Sequence, residues 1–270
     1  MKQDLSKLTP KELRALFHTN ELVTPTAGLC PNYVQANLVM VEGKYGDDLV
    51  EFLKRNPKPC PIVEVIRGER PISRVVAPGS DISMDLPLYR VWRNGTLCEE
   101  VPDVSKLWKP DMVAALIGCS LSFETKLLEA GIRLAHYENH TVAPCYDTNI
   151  PCEPAGPFRG NYVVSMRPMP KELVARAVEI TEAMPRVHGG PVHIGDPAAI
   201  GIKDLMKVDY GDPPVMRPDD VPVFWACGIT PQAVVMTIKP EFAITHAPGY
   251  MFVSDVPVDT LVERRHASGT

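Results

Sequence analysis

DMVAALIGCSLSFE, residues 111–124, decides how this chain is read: an apolar run from Met112 to Ile117 stops at Gly118-Cys119, and a helical pattern starts just beyond. A short apolar run ended by such a break is a buried strand. The texture recurs downstream: Tyr162 to Met166 runs into Arg167-Pro168, Pro191 to Ile194 into Gly-Asp-Pro, Val223 to Ala226 into CGITPQ, and Ala243 to Thr245 into HAPG. Apolar strands alternating with helices predict an α/β fold, a three-layer αβα sandwich around a mixed, partly parallel sheet. Between Ser122 and Pro185 the order helix, strand, strand, helix predicts an inserted two-layer α+β subdomain. Residues 122–185 are thus read as the insertion, and 1–121 with 186–270 as the main domain.

Upstream, Asp4 to Phe17 reads as a helix with Thr9 as N-cap and Pro10 in its first turn, and Asp47 to Leu53 as a second. Ile62 to Ile66 reads as a strand. Tyr89 to Trp92 and Thr96 to Glu99 read as a hairpin across Arg93-Asn94-Gly95, because Asn-Gly supplies the two left-handed positions of a tight turn. The polar segment Glu263 to Thr270 is expected to fray.

Composition narrows the function. The formal charge of −5 carries no basic footprint for nucleic acid or anionic membrane. The N-terminus lacks a signal peptide's apolar core, and no apolar run is long enough to span a bilayer. Seven cysteines without a CxxC pair fit neither a disulfide framework nor a zinc site, which predicts reduced thiols in a cytoplasmic protein. With 28 prolines, short strands and fixed loops should outnumber long helices.

The chemistry-bearing residues cluster beyond Gly118. Aligning Cys119 with Cys227 pairs AALIGCSLSFE with PVFWACGITPQ: strand, thiol, a hydroxyl at Ser122 or Thr230, then an acid or amide five on. Each thiol then lies one short loop before a helix capped by that hydroxyl, where the helix dipole favours thiolate. Two thiols, or two anion-holding loops, would face one ligand. His193 and His246 are candidate acid–base groups, with Asp196 placed to orient one of them. Arg167 can hold a carboxylate with its planar fork, although Glu124 would satisfy it as a structural partner. Asp196, Asp204, Asp209 and Asp212 are oxygen ligands suited to Mg²⁺ or Mn²⁺, the one cofactor class the residues suggest.

The words GCSLSFE (118–124), TNIPC (148–152), YVVSMRP (162–168), HGGPVHIGDP (188–197), VFWACGITPQ (223–232) and ITHAPGYMFVSD (244–255) resemble the D-glutamate cyclase family. The resemblance implies a lyase acting on a small acidic metabolite, in which the amine of D-glutamate attacks its own side-chain carboxyl group and water is lost. Its matched words nominate Ser120, Ser122, Glu124, Asn149, Gly228 and Thr230, with Arg167, as substrate contacts, and a homo-oligomer is expected. His193 or His246 would take the ammonium proton. The alternatives are a cofactor-independent racemase using Cys119 and Cys227, and a metabolite-binding protein without chemistry.

Overall fold

The computed structural model describes residues 5–263. Asp4 and residues 264–270, to which two of the expectations above extend, lie outside that range. After a 3-10 turn at Leu5–Lys7, α1 spans Pro10–His18. Thr9 caps it in a full capping box: its hydroxyl accepts from the Glu12 N–H while the Glu12 carboxylate accepts from the Thr9 N–H.

Next come β1 (Tyr33–Val41), α2 (Gly43–Arg55), β2 (Ile62–Arg67), β3 (Tyr89–Arg93), β4 (Thr96–Val101) and β5 (Val113–Gly118). The predicted hairpin joins β3 to β4, with Asn94 at φ 50° and Gly95 at φ 75°. Then follow α3 (Leu121–Glu129), α4 (Ala135–Glu138), β6 (Cys145–Pro151), β7 (Asn161–Pro170) and α5 (Lys171–Glu182). The described chain closes with β8 (His193–Ile194), β9 (Asp220–Ala226), α6 (Thr230–Thr237), β10 (Phe242–His246) and β11 (Phe252–Pro257).

These elements make an α/β protein, built on two sheets. The first runs β2-β5-β1-β10-β3-β4, with β11 also paired to β1; the second runs β6-β7-β9-β8. Every strand pairing is antiparallel, which corrects the expectation of a partly parallel sheet. The reason lies in the crossovers. α2 carries the chain from β1 to β2, which run parallel to each other, but β5 is inserted between them in the opposite direction. α5 does the same for β7 and β8, with β9 inserted. A strand–helix–strand rhythm fixes the crossover without fixing what fills the gap. The boundary expected at residue 185 consequently cuts the second sheet, whose β8 and β9 lie beyond it.

The two halves repeat one another residue by residue. β1 pairs with β5 at Ala36↔Gly118 and Asn37↔Ile117; β7 pairs with β9 at Val164↔Ala226 and Ser165↔Trp225. Cys119 N–H donates to Gln35 O at 3.0 Å, and Cys227 N–H to Val163 O at 2.9 Å. The helix that follows each loop packs on the opposite half. Val234 and Val235 of α6 sit in one core with α2 and with Val39 and Ile117 of the first sheet. Phe123 and Leu127 of α3 sit in another with α5 and with Val223 and Trp225 of the second. On the first sheet's other face, irregular chain carrying Ile82, Leu86 and Met112 packs into the core.

Candidate active site

Both cysteine loops open onto one cavity of about 320 Å³, lined from the first sheet by Asn37 and His246 and from the second by Cys145, Ser165 and Arg167. Cys119 and Cys227 each stand one residue past their strand. The N–H two residues on, of Leu121 or Ile229, is turned toward the sulfur in both. Leu121 opens α3 and Ile229 immediately precedes α6, and amides at a helix start have no preceding carbonyl in line to accept them. The thiols nonetheless differ. Burial pushes Cys119 up to about 12 against that amide. Cys227 is lowered, chiefly by the neighbouring Cys145 thiol, with the Ile229 amide adding to the effect against burial; the Cys145 Sγ itself donates to the Ala143 carbonyl at 3.5 Å. Cys145, correspondingly, is held well above the ordinary thiol range. All seven thiols are free.

Close approach between the second cysteine loop and the Asn37 side chain depends on Gly228. A Cβ there would meet the Asn37 side-chain nitrogen at 1.9 Å. Asn37 in turn donates to the carbonyls of Ile117 and Gly118, both at 3.3 Å, so one amide bridges the end of β5 and the second loop.

His246 is buried in the wall of this cavity. Its Nδ1 accepts from the Leu38 N–H at 3.1 Å and from the Gln232 amide at 2.7 Å; the Leu38 carbonyl is farther, at 3.4 Å. Burial lowers its pKa to about 4. The ring is neutral near pH 7 with its proton on Nε2, so it is a hydrogen-bond donor whose one basic nitrogen is already taken.

Arg167 is 1% exposed. Its Nε and Nη2 donate to Glu124 Oε1 at 2.9 and 2.5 Å, Nη1 to Ser165 Oγ and Nη2 to Ser120 Oγ, both at 2.9 Å. Its guanidinium carbon lies 5.1 Å from the Phe123 ring and 5.4 Å from the Trp225 ring. Burial alone would raise Glu124, but His136, at 3.1 Å, and the Arg167 guanidinium beside it hold it at about 2. The fork is therefore filled from inside the protein, by the partner the sequence had named as the alternative.

Several nominated residues stand apart from this cavity. The Ser122 and Thr230 hydroxyls accept from the backbone amides of Gln35 and Val163, each at 3.0 Å, and cap neither helix. His193, on the short edge strand β8, stacks at 5.8 Å on Phe224 and donates from Nε2 to Asp196 O at 2.6 Å. The Asp196 carboxylate caps the turn at Ala198. Asn149 packs against Gly201. The carboxylates of Asp204, Asp209 and Asp212 accept separately from the amides of Met206, Asp147 and Val142. Among the described residues no three His, Cys, Asp or Glu side chains gather to hold an ion, so the expected Mg²⁺ or Mn²⁺ ligand set does not assemble.

Cys145, Asn37, Gln232 and Tyr210 were not singled out by sequence reasoning. Gln232 had a signal: it is the amide five past Cys227, as Glu124 is the acid five past Cys119, and each anchors a buried basic side chain. The others come from strands and loops distant in sequence, with nothing local to mark them.

Among the described residues no helix is long and apolar enough to cross a membrane. The D-glutamate cyclase family model matches residues 113–255, from β5 to β11, a span that holds both cysteine loops. A protein of Bacillus licheniformis provisionally named a hydro-lyase is 50% identical over 252 residues, covering 93% of this chain and 96% of its own. YcsI of Bacillus subtilis strain 168, with the same provisional name, is 49% identical over 254 residues, covering 94% and 99%. A third, from Rhodococcus jostii RHA1, is 52% identical over 250 residues, covering 92% and 94%. With the family model spanning both loops and such identity extending along nearly the whole chain, this protein belongs to the D-glutamate cyclase family.

Proposed function

We propose that the chain is a hydro-lyase that closes an acidic amino acid, D-glutamate, to its five-membered lactam with loss of water. The observation that carries this reading is the pairing, in one cavity, of a thiol lowered in pKa, Cys227, with a neutral donor imidazole, His246. The Cys227 thiolate takes a proton from the substrate ammonium. The freed amine attacks the side-chain carboxyl carbon, and the oxyanion that forms is held by the His246 Nε2–H and by first-turn amides of α3 and α6. One carboxyl oxygen then leaves as water, carrying the second nitrogen proton and the proton returned by the thiol. Arg167 and Glu124 act as rigid support behind Ser120 and Ser165.

The test is incubation of the purified protein with D-glutamate and L-glutamate, with 5-oxoproline followed by NMR. Lactam is expected from D-glutamate. His246→Gln should lower its rate by roughly 10²-fold, as for a lost oxyanion donor, while His193→Ala, away from the cavity, leaves it unchanged. Absence of lactam from a folded protein, or equal loss in both variants, sinks the assignment.

A further inference from the structure

The repeat brings two thiols to one cavity in matched settings. Cys119 and Cys227 follow register-equivalent strands, anchor their amides on register-equivalent carbonyls, Gln35 O and Val163 O, and each has the amide two residues on, of Leu121 or Ile229 at a helix start, turned toward its sulfur. One belongs to the β1-β5 half and the other to the β7-β9 half, and both line the same cavity. A cyclisation needs one such group. The second has no part in that reaction, and His246, the only nominated histidine in the cavity, has its basic nitrogen occupied.

We propose that this cavity carries a second activity: cofactor-independent exchange of the α-proton of an acidic amino acid between Cys227 on one face and Cys119 on the other, interconverting its enantiomers. The Cys227 thiolate removes the α-proton, and the carbon–hydrogen electron pair moves into the α-carboxylate as an enediolate. The Cys119 thiol gives its proton to the opposite face of the same carbon. The enzyme is left with Cys227 as thiol and Cys119 as thiolate, and the reverse passage starts from that state. Atoms and electrons balance without an oxidant or co-reactant.

Three features suit this step. The two thiols differ in their surroundings: Cys145 lies beside Cys227 and lowers it, whereas burial pushes Cys119 up to about 12. The Leu121 amide is in place to receive the charge when it passes to Cys119. The Nε2–H of His246 is a neutral donor for the enediolate oxygens. The proposal shares its cavity and ligand class with the cyclisation but not the reaction, so either can fail without the other.

The experiment uses the intact protein in D2O with L-glutamate and D-glutamate as probes. α-Deuterium is read by NMR, inversion by chiral chromatography, and lactam separately in the same sample. Wild-type protein should place deuterium at the α-carbon of both isomers and invert each. Cys119→Ala and Cys227→Ala should each lose inversion by 10²-fold or more, yet each should keep deuterium uptake, with retained configuration, into one isomer, the favoured isomer differing between the two. A merely structural role for the thiols would reduce both isomers alike. The proposal is overturned if wild-type protein shows no α-deuterium in either isomer, or if folded Cys→Ala variants still invert. Should either alanine variant fail to fold, the same pattern is read with Cys→Ser, whose hydroxyl keeps the volume but is a far weaker base.

Discussion

Arg167 shows how a residue chosen for ligand binding can turn out to be architecture. Its fork meets Glu124, and its flat faces meet Phe123 and Trp225, so a substitution to Met removes the guanidinium from a buried carboxylate and leaves it only His136, at 3.1 Å. Removing one partner of a buried ion pair costs about 3–5 kcal/mol. Arg167→Met should therefore lower the urea midpoint sharply, whereas a residue held mainly for substrate would leave that midpoint in place. The sequence named this pair as one of two readings, but across a separation of 43 positions nothing local decided between a ligand and Glu124. Cys145 was invisible for the same reason, since it reaches Cys227 only because β6 and β9 flank β7. Its effect can be measured. In Cys145→Ala the neighbouring thiol that lowers Cys227 is gone, and alkylation of the Cys227 peptide, followed by mass spectrometry, should need a higher pH than in the parent. An unshifted profile would remove Cys145 as the cause.

At the scale of elements, local chemistry was readable and pairing was not. Thr9-Pro10 starts α1, and Asn94-Gly95 turns the hairpin, because both depend on residues within a few positions. The direction of the sheets depends on a strand that enters between two others after a long detour: β5 arrives between β1 and β2 by way of β3 and β4. The loops after β5 and β9 sit between these extremes. Their echo was visible as a cysteine spacing, but the hydroxyls meant to cap the helices went to Gln35 and Val163 instead, fastening each loop to the next strand. Gly228 is the point of least tolerance in those loops. Gly228→Ala drives a methyl into Asn37, which is itself tied to two carbonyls. Overpacking of this kind costs about 1–3 kcal/mol. The expected result is a lower melting temperature and weaker lactam formation, with partial recovery of stability when Asn37→Ala is added; a neutral Gly228→Ala would show that the contact is soft.

For the molecule as a whole, two buried imidazoles set the response to acid. Burial brings His188 and His246 down to about 4 from 6.5. Between those values the unfolded chain binds more protons than the folded one, so this stability is complete above about pH 6.5 and is lost as pH falls toward about 4. Each site accounts for on the order of 3 kcal/mol. The lowered Glu124 acts over a different window, from its ordinary value near 4.5 down to about 2. Urea midpoints should thus decline well before carboxylates protonate. His188→Asn, which removes the titration and tolerates the φ of 84° at that position, should flatten the decline between about pH 6.5 and about pH 4. An unchanged slope would place the acid sensitivity elsewhere.

Strand β1 lies at the heart of the first sheet, yet it takes its partners β10 and β11 from the far end of the described chain. The second sheet, by contrast, is assembled from one uninterrupted stretch, Cys145 to Ala226. On a ribosome the later half of the repeat can therefore be complete while the earlier half still waits with an open edge, because distant pairings form only after their long loops close. The half that is made first is finished last, and until then its cysteine loop has no settled floor. A nascent chain stalled before β10 is thus where this protein is most exposed to proteolysis and to pairing with the wrong strand.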